Sequence, residues 1–113
     1  MSRILIFGDI CPTRDTKTAF DRGDRQAVFG EVLPAIEEAD LVIGNLECAV
    51  SDSPKPIKKT GPILHTNTQS LKTLKDFDAL SLANNHIRDC GDEGVMTAIE
   101  TVSYTHLTLP TIR

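Results

Sequence analysis

Three short polar clusters in this chain carry side chains able to do chemistry, and each closes an apolar run. Ile4-Leu5-Ile6-Phe7 passes into Gly8-Asp9, Leu41-Val42-Ile43 into Gly44-Asn45-Leu46-Glu47, and Leu80-Ser81-Leu82 into Ala83-Asn84-Asn85-His86 and on to Asp89. Asp9, Asn45 and Glu47 offer hard oxygen donors of the kind that bind a divalent cation. Asn45 and Glu47 alternate around Leu46, so extended backbone turns both toward one side. Asn84, Asn85 and His86 are costly to bury without partners, and their concentration at one point reads as a site. Together the clusters supply oxygen ligands and an imidazole, the ingredients of metal-assisted hydrolysis of a phosphate ester. They contain no Ser or Thr nucleophile with a paired base, and the chain has neither a Gly-x-Gly-x-x-Gly nor a Gly-Lys-Ser/Thr phosphate loop.

Each candidate also has a plainer use. Asp9 alone could cap a turn. Asp89 could orient His86 as a neighbouring carboxylate or cap the helix expected after Gly91, and capping is the preferred reading. His65 reads as structural or solvent-facing, and Lys58 and Lys59 read as charges on a solvated loop, although they could meet an anionic substrate. Cys11, Cys48 and Cys90 each follow one of the three strand ends without any Cys-x-x-Cys spacing. They could lie near one another as soft metal ligands, but free cysteines are usually small buried apolar groups.

These residues need a scaffold that brings distant segments to one place. Apolar runs predict strands over Arg3–Phe7, Asp40–Ile43 and Ala79–Leu82, the first apolar throughout and so expected at the centre of a sheet. A short edge strand is expected over Ile63–Thr66. Asp24 is placed to cap a helix reaching Phe29, and a second helix begins near Glu31 with Pro34 in its first turn. Asn67 is placed to cap Thr68–Phe77, where Leu71, Leu74 and Phe77 recur at helical spacing. Ala49–Pro62 has no apolar period and reads as a surface loop, and Asp92–Glu100 as a last helix. The order β-α-β-loop-α-β-α argues an α/β fold with a mainly parallel sheet, in which ligands bind beyond the carboxyl ends of the strands.

Composition narrows the partners. Apolar residues make up 40% and charged residues 25% of the 113 positions, the balance of a soluble globular protein. A net charge of −4 with no basic cluster excludes non-specific nucleic-acid binding, and the few aromatics exclude base stacking. No apolar run approaches the ~20 residues of a membrane span, and the N-terminus lacks the pattern of a signal peptide. A cytoplasmic location is expected, with membrane association through regions outside this chain as the alternative.

The last segment differs from the rest. Val102–Thr111 shows no helical period and reads like one translated frame of the transposase-adapter sequence used in preparing DNA libraries. Residues 1–100 are therefore expected to be the first part of a longer domain and 101–113 a non-native read-through tail, which sets aside Tyr104 and His106 as functional candidates. A truncated sheet would expose apolar strands and dissolve poorly.

Gly8-Asp9-Ile10, Ala39-Asp40-Leu41-Val42-Ile43-Gly44-Asn45-Leu46-Glu47 and Leu82-Ala83-Asn84-Asn85-His86-x-x-Asp89-x-Gly91 resemble the bacterial capsule-synthesis family of CapA type. That family is linked to poly-γ-glutamate production and to the calcineurin-like metallophosphoesterase superfamily. The resemblance spans residues 3 to 100 and implies the N-terminal part of a four-layer α-β-β-α sandwich. It also implies a divalent metal (Mn, Mg, Fe or Zn) held by Asp9, Asn45 and Asn85, with Glu47 restoring a charge lost at Asn45. His86 would assist the leaving oxygen, with Cys11 and Asp89 as further ligands or supports. The implied substrate is a phosphoester or an anionic polymer. Cys11 stands where the superfamily's first motif has a histidine, and Asn45 where it has a bridging carboxylate. These departures motivate the alternative, a non-catalytic scaffold in polymer assembly or export. A hydrolase whose first block is Gly-Asp-Ser is set aside because Ile10 occupies the serine position.

Overall fold

The computed structural model describes residues 1–105 and 107–109, with side chains as far as Ser103. Its centre is a four-stranded sheet in the order β1-β2-β5-β6, formed by β1 (Ile4–Ile10), β2 (Leu41–Leu46), β5 (Ala79–Ser81) and β6 (Leu107–Leu109). Every pairing in it is parallel. The α/β class with a parallel sheet expected from the alternation of elements is thus the class observed. A separate two-stranded parallel pair joins β3 (Ala49–Val50) to β4 (His65–Thr66), so the segment read as loop from Ala49 starts with a short strand.

Register is set at the amino-terminal rim. Asp40 accepts from the Arg3 backbone N–H at 2.8 Å. Asp78 accepts from the Val42 N–H at 2.7 Å while its own N–H donates to the Val42 carbonyl at 2.7 Å. Both carboxylates extend the ladders by one rung and leave the opposite rim to other chemistry. β1 and β2 run past their expected ends, so Asp9 and Asn45 lie within strands and face each other as register partners after an irregularity between Ile6 and Asp9.

The crossover from β1 to β2 holds three short helices, α1 (Lys17–Asp21), α2 (Arg25–Phe29) and α3 (Leu33–Glu38). Asp24 caps α2 by accepting from the Ala27 N–H at 3.1 Å, and Pro34 sits in the first turn of α3 as anticipated. Gly30 separates the two with φ of 53°, a conformation side chains with a Cβ avoid. The expected helix after Asn67 is instead a 3-10 helix over Gln69–Leu74. Asn67 accepts from the Ser70 N–H at 2.8 Å as a cap, but Ser70 Oγ turns back to the Asn67 carbonyl and Thr73 Oγ donates to the Phe20 carbonyl. Such side-chain bonds compete with a regular α-helical ladder.

Phe20, Ile36, Val42, Leu46, Leu71, Leu74, Phe77 and Leu80 form the main core between these helices and the sheet. Phe7, Phe29 and Phe77 cluster there with ring centroids 5.1 to 6.2 Å apart, the spacing at which aromatic pairs attract. β1 is not central but lies at one side of the sheet, and Ile4 and Ile6 are 60% and 71% exposed. The final helix, α4 (Gly91–Thr105), continues beyond Glu100. Val95, Ala98, Ile99 and Val102 recur at i, i+3, i+4 and i+7, and Val102 is fully buried, so the helical period that seemed lost at that point persists. His106 and residues 110–113, on which part of the tail reading rests, lie outside the described residues.

Gly44 is where sheet and core meet most closely. A methyl group there would lie 2.8 Å from Ile10 Cδ1, 3.0 Å from Phe77 Cε2 and 3.3 Å from Phe7 Cβ. Gly44→Ala should therefore overpack the core and cost about 1–3 kcal/mol in denaturant unfolding. Unchanged stability would show that this approach is not tight.

Candidate functional site

Because all main strands are parallel, their carboxyl ends share one rim, and the polar clusters gather there. Asp9 comes from β1, and Asn45 from β2 with Glu47 just beyond it. Asn45 Nδ2 donates to Asp9 Oδ1 at 2.8 Å and to Glu47 Oε2 at 2.6 Å. One amide thus holds two carboxylates, the exposed Asp9 and the half-buried Glu47. The Glu47 N–H donates to the Ile10 carbonyl at 2.9 Å, which carries the ladder one step past the strand and fixes its direction.

Asn84 joins this group to the third cluster. Its Nδ2 donates to Asn45 Oδ1 at 3.2 Å and to the Leu46 carbonyl at 2.7 Å, while its Oδ1 accepts from the His86 N–H at 3.0 Å. Asn84 therefore connects the clusters, a role not anticipated for it, whereas Asn85 was expected as a metal ligand. Asn85 is exposed on the following turn and makes no hydrogen bond among the described residues. The apolar run preceding both amides did not distinguish them; only the end of β5 at Ser81 decides which one turns back toward β2.

His86 and Asp89 form a second, more deeply buried group. His86 Nδ1 lies 2.6 Å from Asp89 Oδ2, and the two residues are 8% and 1% exposed. Asp89 also accepts from Lys59 Nζ at 2.8 Å and from the Leu64 N–H at 2.7 Å. Burial alone raises the Asp89 carboxyl, but the bonds from Lys59, His86 and the Leu64 N–H outweigh it and hold the group below the usual carboxylate range. An ionised Asp89 can only accept, so Nδ1 carries the proton and Nε2 is the nitrogen that can exchange one with a ligand. The carboxylate that was read as a helix cap is instead committed to orienting His86. Lys59, read as a solvated charge, is its half-buried counter-ion. With the Ile57 N–H donating to the Asp89 carbonyl at 2.9 Å, it ties the 51–64 loop to the histidine turn.

Cys11 and Cys48 also meet at this rim, where their thiols share a hydrogen bond that lowers the Cys11 thiol to about 6. The same bond, together with burial, raises Cys48. Cys11 Sγ lies 3.5 Å from Thr13 Oγ1. Burial raises Cys90, which lies beside Asp89 and outside that pair. His65 lies in β4, which among the described residues pairs only with β3.

The donor chemistry of the carboxylate pair fits one hard cation. Asp9 and Glu47 bring two negative charges to a single neutral amide, a balance a divalent ion would complete. Among the described residues no three His, Cys, Asp or Glu side chains lie close enough to hold an ion by themselves. Amide oxygens and water would have to fill the remaining positions, which suits Mg²⁺ or Mn²⁺ better than tetrahedral zinc. Asn45 would supply one amide oxygen only after its side chain turns over, because its Nδ2 now faces the carboxylates, and Asn84 only by giving up its bond from the His86 N–H. Two surface hollows among the described residues lie elsewhere, beside α4, and are lined by Asp52, Thr97 and Glu100; they share no residue with this rim.

Residues 3–109 match the family model described as bacterial capsule synthesis protein PGA_cap. The chain belongs to that family. It is 33% identical over 102 residues to the capsule biosynthesis protein CapA of Bacillus anthracis, covering 86% of this chain and 25% of that protein. It is 35% identical over 92 residues to the PGA biosynthesis protein CapA of Bacillus subtilis (strain 168), covering 78% of this chain and 24% of that one. The PGA_cap chain described here thus spans about a quarter of the length of these curated relatives. No helix among its described residues is long and apolar enough to cross a membrane.

The Asp89 group predicts a pH dependence. A carboxyl lowered in the folded state adds stability above its unfolded value, about 3.9, and that stability is lost as pH falls through the folded value. Unfolding should therefore steepen below about pH 4. Asp89→Asn should cost on the order of 3 kcal/mol at pH 7, because Lys59 loses its partner, and should flatten the acid limb. Asp21, lowered by Lys17, contributes to that limb equally in both proteins. Wild-type stability with an unaltered acid limb in the variant would contradict the assignment.

Proposed function

We propose that this chain carries part of a metal-dependent phosphoester-hydrolysing site in a protein serving capsule or poly-γ-glutamate synthesis. The observation that carries this reading is the pair of carboxylates, Asp9 and Glu47, clasped by Asn45 on the rim where His86 is also held. When bound, a divalent cation would polarise the phosphoryl group and lower the pKa of water. Asp9 and Glu47 would hold it, with amide oxygens from Asn45 and Asn84 or, after a side-chain rotation, from Asn85. Asp89 fixes the His86 ring, and His86 Nε2 delivers a proton to the leaving oxygen. Lys59 balances the buried Asp89 so that this carboxylate is not drawn toward the cation. An anionic linkage, in a phosphoester or in an anionic polymer, is the substrate class such a centre attracts.

A second reading has its own observation. The absence of three His, Cys, Asp or Glu ligands in reach of one another among the described residues supports a scaffold that keeps the fold without turnover. A full-length protein separates the two. Calorimetry with Mn²⁺ should show binding that weakens at least tenfold in Asp9→Ala and in Glu47→Ala, each of which removes one of two charged ligands. Hydrolysis of an aryl phosphate should fall roughly 10²–10⁴-fold in His86→Ala. Absence of Mn²⁺ binding, or turnover indifferent to His86, would remove the enzymatic reading and favour the scaffold.

A further inference from the structure

The dithiol at the rim is not used by the chemistry above. Ile10 and Leu46 are register partners, and the Glu47 N–H to Ile10 carbonyl bond continues the ladder. Cys11 and Cys48 therefore lie just past the carboxyl ends of β1 and β2, one residue out of register with each other. For a strand spacing of about 4.8 Å and a rise of about 3.3 Å, that diagonal places their Cα atoms about 6 Å apart. This lies inside the span that a disulfide bridges without moving backbone. Their side chains turn toward the same interior, since Cys48 belongs to the buried apolar cluster and Cys11 packs against that cluster, with each thiol within the other's influence. Access is unequal: Cys11 is half-buried, whereas Cys48 is fully buried behind it. A soft-metal site is not formed there, because no third His, Cys, Asp or Glu closes on the pair among the described residues.

We propose that Cys11 and Cys48 form a reversible redox lock that closes to an intramolecular disulfide under hydrogen peroxide and clamps the carboxyl ends of β1 and β2 together. The Cys11 sulfur attacks one peroxide oxygen, the O–O bond breaks, and the other oxygen leaves as water with the thiol proton, leaving a sulfenic acid. The Cys48 sulfur then attacks the Cys11 sulfur, the S–O bond breaks, and a second water leaves with the Cys48 proton. Two thiols lose two electrons, and one peroxide gains them. The cross-link restricts the unfolded chain between residues 11 and 48 and so favours the folded state. Cys90 lies outside the pair and serves as an internal control.

The test is peroxide treatment of the purified protein, followed by alkylation, non-reducing peptide mass spectrometry and thermal unfolding. The expected result is a Cys11–Cys48 linked peptide lighter by two hydrogens, with Cys90 still alkylated and a melting temperature that rises and returns on reduction with dithiothreitol. Cys11→Ser should abolish both the link and the shift, and Cys90→Ser should keep both. Cys48→Ser disturbs a buried position, so the Cys11 variant carries the decision. Three alkylatable thiols after treatment, a link that includes Cys90, or a sulfinic acid at Cys11 beside a free Cys48 would overturn the pairing. A linked species that melts like the reduced protein would overturn the lock.

Discussion

Two carboxylates lean on one amide, and the rim of this sheet is arranged around that imbalance. Asn45 satisfies one oxygen of Asp9 and one of Glu47, but an amide supplies hydrogen bonds and no charge. Like charges brought together repel strongly unless water or a cation screens them. Here Asp9 remains exposed to water and Glu47 half so, which keeps the pair tolerable. The parallel register makes the encounter unavoidable: Asp9 and Asn45 are partners across β1 and β2, and Glu47 follows at the same face.

The second carboxylate arrangement obeys the opposite rule. Asp89 is almost completely buried and is tolerated because a lysine, an imidazole and a backbone N–H all donate to it. Burying an ion without such partners costs several kcal/mol. The same bonds have a geometric consequence, since they fix the histidine ring and fasten a long loop over it. One rim therefore holds an open, charge-deficient pair beside a closed, charge-balanced one, linked through Asn84. The hydrolysis proposed above would use that division, with one group to take a ligand and another to hold a proton.

Much of this was legible in the sequence. Apolar runs ending in Gly8-Asp9, Gly44-Asn45 and Asn84-Asn85-His86 announced parallel strands with polar clusters gathered at their carboxyl ends, and Asp24, Gly30 and Pro34 marked their helices correctly. What escaped depended on tertiary partners. Which of two adjacent asparagines turns inward is decided by where β5 stops, and local residue types do not encode that. Lys59 looked like a loop charge because its partner lies 30 positions away. Asp89 looked like a cap because a carboxylate before a helix usually is one; three donors from elsewhere claimed it. Ile4 and Ile6 promised a buried strand, yet β1 lies at one side of the described sheet with both side chains exposed. Periodicity reports which face is apolar and is silent on whether anything covers it.

Anomalous diffraction from crystals of the full-length protein soaked in Mn²⁺ tests most directly whether the gap between Asp9 and Glu47 takes a cation. The predicted result is an anomalous peak within coordination reach, about 2.0–2.3 Å, of both carboxylates, with the Asn45 amide turned to present its oxygen. A peak confined to the acidic hollows beside α4, or an Asn45 amide still clasped between Asp9 and Glu47 at saturating Mn²⁺, would contradict it.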